Sequence, residues 1–457
     1  MRPVSVAPLD DGLVLRRATA ADAEALAVFV ADVLRAQDAA EPSTAMGAWI
    51  HDLVSGRHPG VRAEDCFVVT DALTGAIVSC ATLISQQWSF GGVRIDVGQP
   101  ELIGTRTGHR GRHLVTALMQ AMHRESAARG HHLLSITGIP WFYRQFGYEL
   151  ALERGGGSKI SATGLAQLDP AAAVAYRIRP AREADAPFLA ATDAHAARRN
   201  LVWALRDERL WRYEIAGHSE QSAIRRVIDI VERPDGQPVG YVAYAPRLWS
   251  GAAVAVVAFE VIAGVSWRAA WIPLLAHLKA QGEAMATREC KTPFGGVNFW
   301  LVGTNHPIRH VSHLPPGELP YAFYIRVPDL AAFLRYVGPV LQRRLADSPL
   351  VGHTGELRLG FYRDGLRLAF ERGELVTAER WIPSIDTAGV EFALGSGDVR
   401  RPAVMFPPLT FLQLVFGYRS LDELEHAFAD CVVRTVEARS LLNALFPRRP
   451  SCVNPVV

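Results

Sequence analysis

The sequence predicts an α/β chain in which two copies of one α/β unit stand in tandem, followed by a smaller α+β unit of a different kind. Three observations carry this. The chain has 457 residues, more than one ordinary hydrophobic core organises. Residues 15–26 ("LRRATAADAEAL") echo residues 178–189 ("IRPAREADAPFL") at an offset of 163, with Arg, three Ala, Asp and Leu coinciding. A strand pair, a further strand and a helix then follow each echo in the same order.

In the first copy, 67–85 reads as two strands joined by a glycine-containing turn, 101–105 as the next strand, and 114–129 as a helix. In the second, 226–245 is a strand pair around Pro-Asp-Gly, 257–264 the next strand, and 271–287 the helix. The glycine run at 155–157 and the Ala-rich stretch to Ala175 read as a linker. The predicted units are 1–153, a linker at 154–175, 176–325, and 326–457. The last begins with an amphipathic helix at 326–346, continues as strands with glycine turns, and ends in short helices, one announced by Ser420 and Glu423 as a capping box.

Composition narrows the function. Hydrophobic residues at 49% and charged residues at 21% describe a soluble globular chain. A net charge of +2 supplies no field for nucleic acid or a membrane surface, so neither partner is expected. The five cysteines (Cys66, Cys80, Cys290, Cys431, Cys452) are scattered without a CxxC pair, which argues against a disulfide framework and a zinc knuckle. The opening residues lack the apolar stretch of a signal peptide, and the cytoplasm is the expected compartment.

The informative stretch is "RTGHRGRHLVTALMQAMHRESAARG" (106–130), a basic glycine turn set against an amphipathic helix. Free N–H groups at a helix start favour an anion, and Arg110 and Arg112 flank Gly111 there. On these residues alone the turn reads equally as an anion site or as a solvated basic loop. His109 and His113 have i, i+4 spacing, but no third ligand lies near, so no metal is expected.

This stretch resembles the acyl-CoA motif of the GNAT N-acetyltransferase superfamily. "GIPWFYRQFGYE" (138–149) resembles its next element, a Tyr-bearing turn before a Phe-Gly-Tyr strand start. With a second GNAT-like copy and a sterol-carrier-protein-like last unit, residues 13–457 resemble the Eis (enhanced intracellular survival) acetyltransferases. The resemblance implies acetyl-CoA as co-substrate, an amine acceptor of aminoglycoside, polyamine or lysine type, and a homo-oligomer. Carried onto this sequence, it places the CoA contacts at Ile103, Gly104, Thr105, Arg110, Gly111, Arg112, His113, Leu114, Val115, Thr116 and Gly138. Two positions depart from the pattern: His113 replaces a usual glycine, and Val115 a usual Gly or Ala. A side chain at 113 would obstruct backbone approach to a pyrophosphate or else contact a phosphate itself. The second copy offers only Arg268 and no glycine turn, so it is expected to bind no CoA.

Acetyl transfer to an amine requires a base for the ammonium proton, a backbone donor for the oxyanion, and an acid for the thiolate. The resemblance puts the acid at Tyr143, whose alternative is an aromatic core residue beside Trp141, Phe142 and Phe146, and the oxyanion donor around residues 103–105. Tyr148 reads as core. For the base, the resemblance implies the C-terminal carboxylate at Val457, with Glu101 competing. Two other functions stay open: a carrier whose Leu357, Leu359, Phe361, Leu366, Leu368 and Phe370 line a lipid site rather than a core, and a CoA-binding GNAT fold serving a biosynthetic reaction.

Overall fold

The computed structural model describes residues 7–36, 39–154, 156–167, 176–300, 306–311, 321–382 and 402–453. The first part of the chain forms β1 (Ala7–Pro8), β2 (Leu13–Arg17), α1 (Ala23–Val33), α2 (Thr44–Val54), β3 (Cys66–Asp71), β4 (Ile77–Phe90), β5 (Val93–Thr105), α3 (Leu114–Ala128), β6 (Leu133–Ile136) and β7 (Glu149–Arg154). The strand predicted at 101–105 is only the end of the 13-residue β5. Its hairpin with β4 is the spine of the sheet.

The next part forms β8 (Ser158–Ser161), α4 (Ala162–Ala166), β9 (Arg177–Pro180), α5 (Ala186–Ala197), β10 (Val202–Leu205), α6 (Glu208–Ala216), β11 (Val227–Glu232), β12 (Pro238–Tyr244), β13 (Ala253–Val261), α7 (Trp267–Arg288), β14 (Gly296–Phe299) and α8 (Ile308–Val311). Strand β8 and helix α4 fall where a linker is predicted. Too short and polar to show a pattern, β8 is held by its pairing with β14. The two echoed segments fold alike. Arg16 grips Asp22 at 2.7 and 2.9 Å, and Arg179 grips Asp185, 163 residues later, at 2.8 and 2.9 Å.

The last part forms β15 (Tyr321–Arg326), α9 (Leu330–Tyr336), α10 (Gly338–Ala346), β16 (Gly355–Gly360), β17 (Gly365–Glu371), β18 (Glu374–Trp381), β19 (Val404–Met405), α11 (Phe411–Val415), α12 (Leu421–Ala427), β20 (Val432–Val433) and α13 (Val436–Leu445). The single helix predicted at 326–346 is two, broken at Val337, just before Gly338 and Pro339, whose ring supplies no N–H to continue the first. The Ser420–Glu423 capping box forms as predicted.

Two long-range pairings bind the parts together. Strand β15 enters the first sheet between β6 and β7, antiparallel to both. Strand β10 pairs with the outer half of β4, Val202 opposite Phe90. One apolar core then runs from the β4–β5 hairpin into the last part, where Phe90, Phe333 and Phe416 meet at ring distances of 5.4 to 5.7 Å. Leu357, Leu359, Leu366, Leu368 and Phe370 are buried in it, so these strands spend their apolar face on packing, and Phe361 packs half-buried at its edge.

Candidate active site

Strands β5 and β6 run parallel but pair only at Val97–Leu133 and Gly98–Leu134. Beyond Gly98, β5 continues to Thr105, while β6 turns to pair with β15. The sheet splays there. A bulge lies in β5 between the pairs Thr82–Glu101 and Cys80–Gly104, with Leu102 at φ 53°. The Cys80 thiol donates to the Leu102 carbonyl at 3.3 Å, and the Ser79 hydroxyl to the Gly104 carbonyl at 2.9 Å. A bulge re-aims the groups that follow it.

The splay opens on a cleft of about 610 Å³. Ile103, Gly104 and Thr105 form one wall, Arg110, Gly111 and His113 the turn, and Leu114, Val115 and Thr116 the first turn of α3. No side chain caps α3, and its first intrahelical bond runs from Ala117 N to His113 O, so the N–H groups of residues 114–116 are free for an anion. The exposed Arg110 has no ion pair among the described residues. Arg112, predicted to share its role, points away and pairs with Asp11 at 2.9 Å, outside the cleft lining. His113 sits at φ 56°, ψ 20°, the left-handed region that a glycine would occupy without strain.

Tyr143 closes the cleft. Its ring is 5% exposed, packed edge-on to Phe142 at 5.1 Å and near Tyr324 at 5.8 Å. Its hydroxyl has no hydrogen-bond partner among the described residues, unlike that of Tyr148, which pairs with His123 at 2.9 Å. Burial, and next the charge of Glu101, push the Tyr143 phenol upward, so it keeps its proton at neutral pH. Gly138 is not a lining residue: it lies directly under the Tyr143 ring. Trp141, grouped with this cluster from sequence, is instead 73% exposed, and its backbone N–H donates to the Tyr324 hydroxyl at 2.6 Å. Tyr324, brought in on β15, is a support that no local sequence signal reveals.

Glu101 faces the other side of the sheet. Ala81 and Leu83 pack with α3, whereas Cys80 and Ile84 pack with α1 and α2. Thr82, and Glu101 opposite it, therefore belong to the α1–α2 face. Burial lifts the Glu101 carboxyl to about 7, against a hydrogen bond from Gln99 at 2.6 Å and the charge of Arg154. That bond ends a one-directional chain. Trp88 Nε1 donates to Gln86 Oε1 at 2.8 Å, Gln86 Nε2 to Gln99 Oε1 at 2.6 Å, and Gln99 Nε2 to Glu101 Oε1. The glutamines were missed at the sequence level, because one lies on β4 and the other on β5 and only the pairing of the two strands brings them together. Val457 lies outside the described residues.

The second copy closes the corresponding place. Its pairing of β13 with β14 also stops short, at Val256–Phe299, but Glu260 beyond it is buried and bonded to Arg199 at 2.5 Å, with His306 at 3.5 Å. Helix α7 is capped by its own Ser266, which accepts from Ala269 N at 3.2 Å.

Residues 14–151 match the acetyltransferase (GNAT) domain family. No curated protein matches the sequence. Among solved structures, a GCN5-related N-acetyltransferase from Kribbella flavida superposes with a TM-score of 0.61 at 17% identity, covering 96% of this chain and 97% of its own. Eis1 from Mycobacterium abscessus gives 0.56 at 16% identity, covering 96% and 98%. The N-myristoyltransferase of Saccharomyces cerevisiae with bound myristoyl-CoA gives 0.50 at 12%, covering 71% and 85%. Residues 14–151 thus carry the match to the acetyltransferase (GNAT) domain family, and the chain as a whole shares its fold with Eis1 and the GCN5-related N-acetyltransferase.

Proposed function

We propose that the protein transfers an acetyl group from acetyl-CoA to a primary amine of a cationic small molecule or a lysine side chain, in the first unit only. The observation that carries this reading is the splay between β5 and β6, with an uncapped helix start and Arg110, unpaired among the described residues, on one face and a carboxyl of raised pKa on the other. The phosphates of CoA fit the free N–H groups of residues 114–116 and Arg110. The thioester then enters the gap from the α3 face, and the amine from the α1–α2 face.

In this reading Glu101 takes the proton that leaves the attacking nitrogen. A carboxyl poised near 7 is ionised in part at neutral pH and basic enough to accept it. Backbone N–H groups after the bulge, at residues 103–105, face the oxyanion. As the carbon–sulfur bond breaks, Tyr143 gives its proton to the departing thiolate. The acid and base lie on opposite faces of one strand and meet through the gap. The capped α7 and the filled place around Glu260 support a second copy without CoA. The last unit, read as sterol-carrier-like, serves as a packing partner. The named neighbours, N-acetyltransferases and a myristoyl-CoA enzyme, agree with CoA-thioester chemistry.

The test is direct. Acetyl-CoA and a panel of polyamines, aminoglycosides and lysine peptides are incubated with the protein, with free thiol and N-acetyl product followed by mass spectrometry. Thiol release that requires the amine supports the reading; acetyl-CoA binding without transfer to any amine favours a biosynthetic acceptor, and no binding overturns it. Sedimentation velocity establishes whether the chain forms the homo-oligomer that its resemblance implies.

A further inference from the structure

A second cavity, of about 810 Å³, lies at the other end of the β4–β5 hairpin, where the three parts of the chain meet. At ~3.4 Å per residue, the length of β5 separates it from the cleft by roughly 40 Å. Four arginines line it: Arg198 after α5, Arg343 and Arg344 on α10, and Arg449 in the segment after α13. Their ordinary partner elsewhere in this molecule is a carboxylate, as for Arg16, Arg129 and Arg179. Here none of the four has an ion pair among the described residues. Arg343 donates to the Gly91 carbonyl at 2.7 Å and Arg344 to the Leu445 carbonyl at 2.6 Å, which leaves most of their N–H groups free. The one carboxylate on the wall, Asp347, pairs with none of them.

The cluster is strained by its own charge. Arg344 is half-buried above the Phe90 ring, at 6.0 Å. Burial, then the like charges of Arg449 and Arg343, pull its guanidinium down to about 10. Guanidiniums in this arrangement are stabilised by an anion carrying more than one charge, and their planar forks match phosphoryl oxygens. Asn200, Ser440 and Asn443 add neutral hydrogen-bonding groups to the same wall. The volume falls in the range of about 300–1,000 Å³ common to small-ligand sites.

We propose that this cavity binds a phosphorylated small molecule, its phosphoryl oxygens held by Arg343, Arg344 and Arg449. The ligand would also touch the chain segment that runs beside β10. Arg449 directly precedes Pro450, whose carbonyl accepts from Leu201 N at 2.8 Å, and Cys452 N donates to Val202 O at 3.1 Å. Occupancy of the cavity holds that segment against the sheet.

Inorganic pyrophosphate is the probe, titrated calorimetrically at constant ionic strength into the full chain, into Arg110→Ala, and into the double variant Arg343→Gln/Arg449→Gln. The two replaced side chains are exposed, and a melting curve checks that the fold is kept. The expected result is saturable binding to the wild type and to Arg110→Ala, weakened about tenfold or more in the double variant. If the double variant does not fold, the single variants Arg343→Gln and Arg449→Gln replace it, each expected to weaken binding, and unchanged affinity in both overturns the proposal. Absence of saturable binding overturns the proposal, as does unchanged affinity in the double variant. Loss of binding in Arg110→Ala alone also overturns it, by placing the anion in the cleft. So does a change of sedimentation in the double variant, which would make the arginines a contact between copies of the chain.

Discussion

Gly138 lies flat beneath the Tyr143 ring: a Cβ at residue 138 would stand 1.9 Å from Tyr143 Cε2 and 2.2 Å from Cδ2. No side chain fits there without moving the phenol. Gly138→Ala should therefore displace the Tyr143 hydroxyl and lower turnover, with a smaller effect on acetyl-CoA affinity. Steady-state kinetics beside calorimetric binding checks this, and normal turnover in a folded Gly138→Ala would detach Tyr143 from the chemistry.

Tyr143→Phe keeps the ring contacts with Phe142 and Tyr324 and removes an oxygen that has no hydrogen-bond partner among the described residues. Stability should hardly change. Turnover should fall about 10²–10⁴-fold, the usual contribution of a general acid. A structural role predicts the reverse, so melting temperature and turnover measured on one variant separate the two.

The pH dependence follows from Glu101. A base must be deprotonated, so kcat/KM should fall as pH drops through about 7, the position to which burial raises this carboxyl. Gln99→Leu deletes the N–H donor that favours the carboxylate. The acid limb of the profile should then move to higher pH, while activity well above it recovers. An unmoved limb would exclude Glu101 as the titrating base.

At the anion end of the cleft, Arg110→Ala should weaken acetyl-CoA binding about ten- to hundredfold, the worth of a charge-assisted bond. Arg112→Ala should do much less, because that side chain is directed to Asp11, and Arg268→Ala should do nothing. Equal losses from all three would mean that the second copy binds the cofactor too.

His113→Gly should raise stability by about 1 kcal/mol, since the left-handed backbone penalises a Cβ. A denaturant midpoint reads this directly. Acetyl-CoA affinity should hold or improve; its loss would show that the imidazole touches a phosphate.

The elements that sequence reveals are those specified locally. The turn at 106–113, helix α3 and the Ser420 cap follow from short-range periodicity and cap chemistry, and the paired Arg and Asp of the repeat mark both copies. What sequence hides is set by distant partners. Strand β15 looks like any apolar stretch, and its place between β6 and β7 depends on residues about 170 to 190 positions away. Within the site, resemblance points to Tyr143, but its support by Tyr324 and Gly138 and the glutamine chain behind Glu101 emerge only when the strands are side by side. Arg112 shows the converse: the basic turn suggests it as an anion ligand, yet its side chain pairs with Asp11.

The insertion of β15 has a consequence for how the protein comes into being. A ribosome completes residues 14–151 long before it reaches 321–326, and until then β6 and β7 each present a bare edge. The Trp141 N–H likewise waits for the Tyr324 hydroxyl. The unit that carries the family match is thus unfinished for most of the chain's synthesis, and its last strand arrives only after the second copy has been made. A fragment cut at the family boundary should be prone to aggregate rather than to work at a reduced rate. Completion of the first sheet therefore waits for synthesis to pass residue 326, and arrives late and in one step.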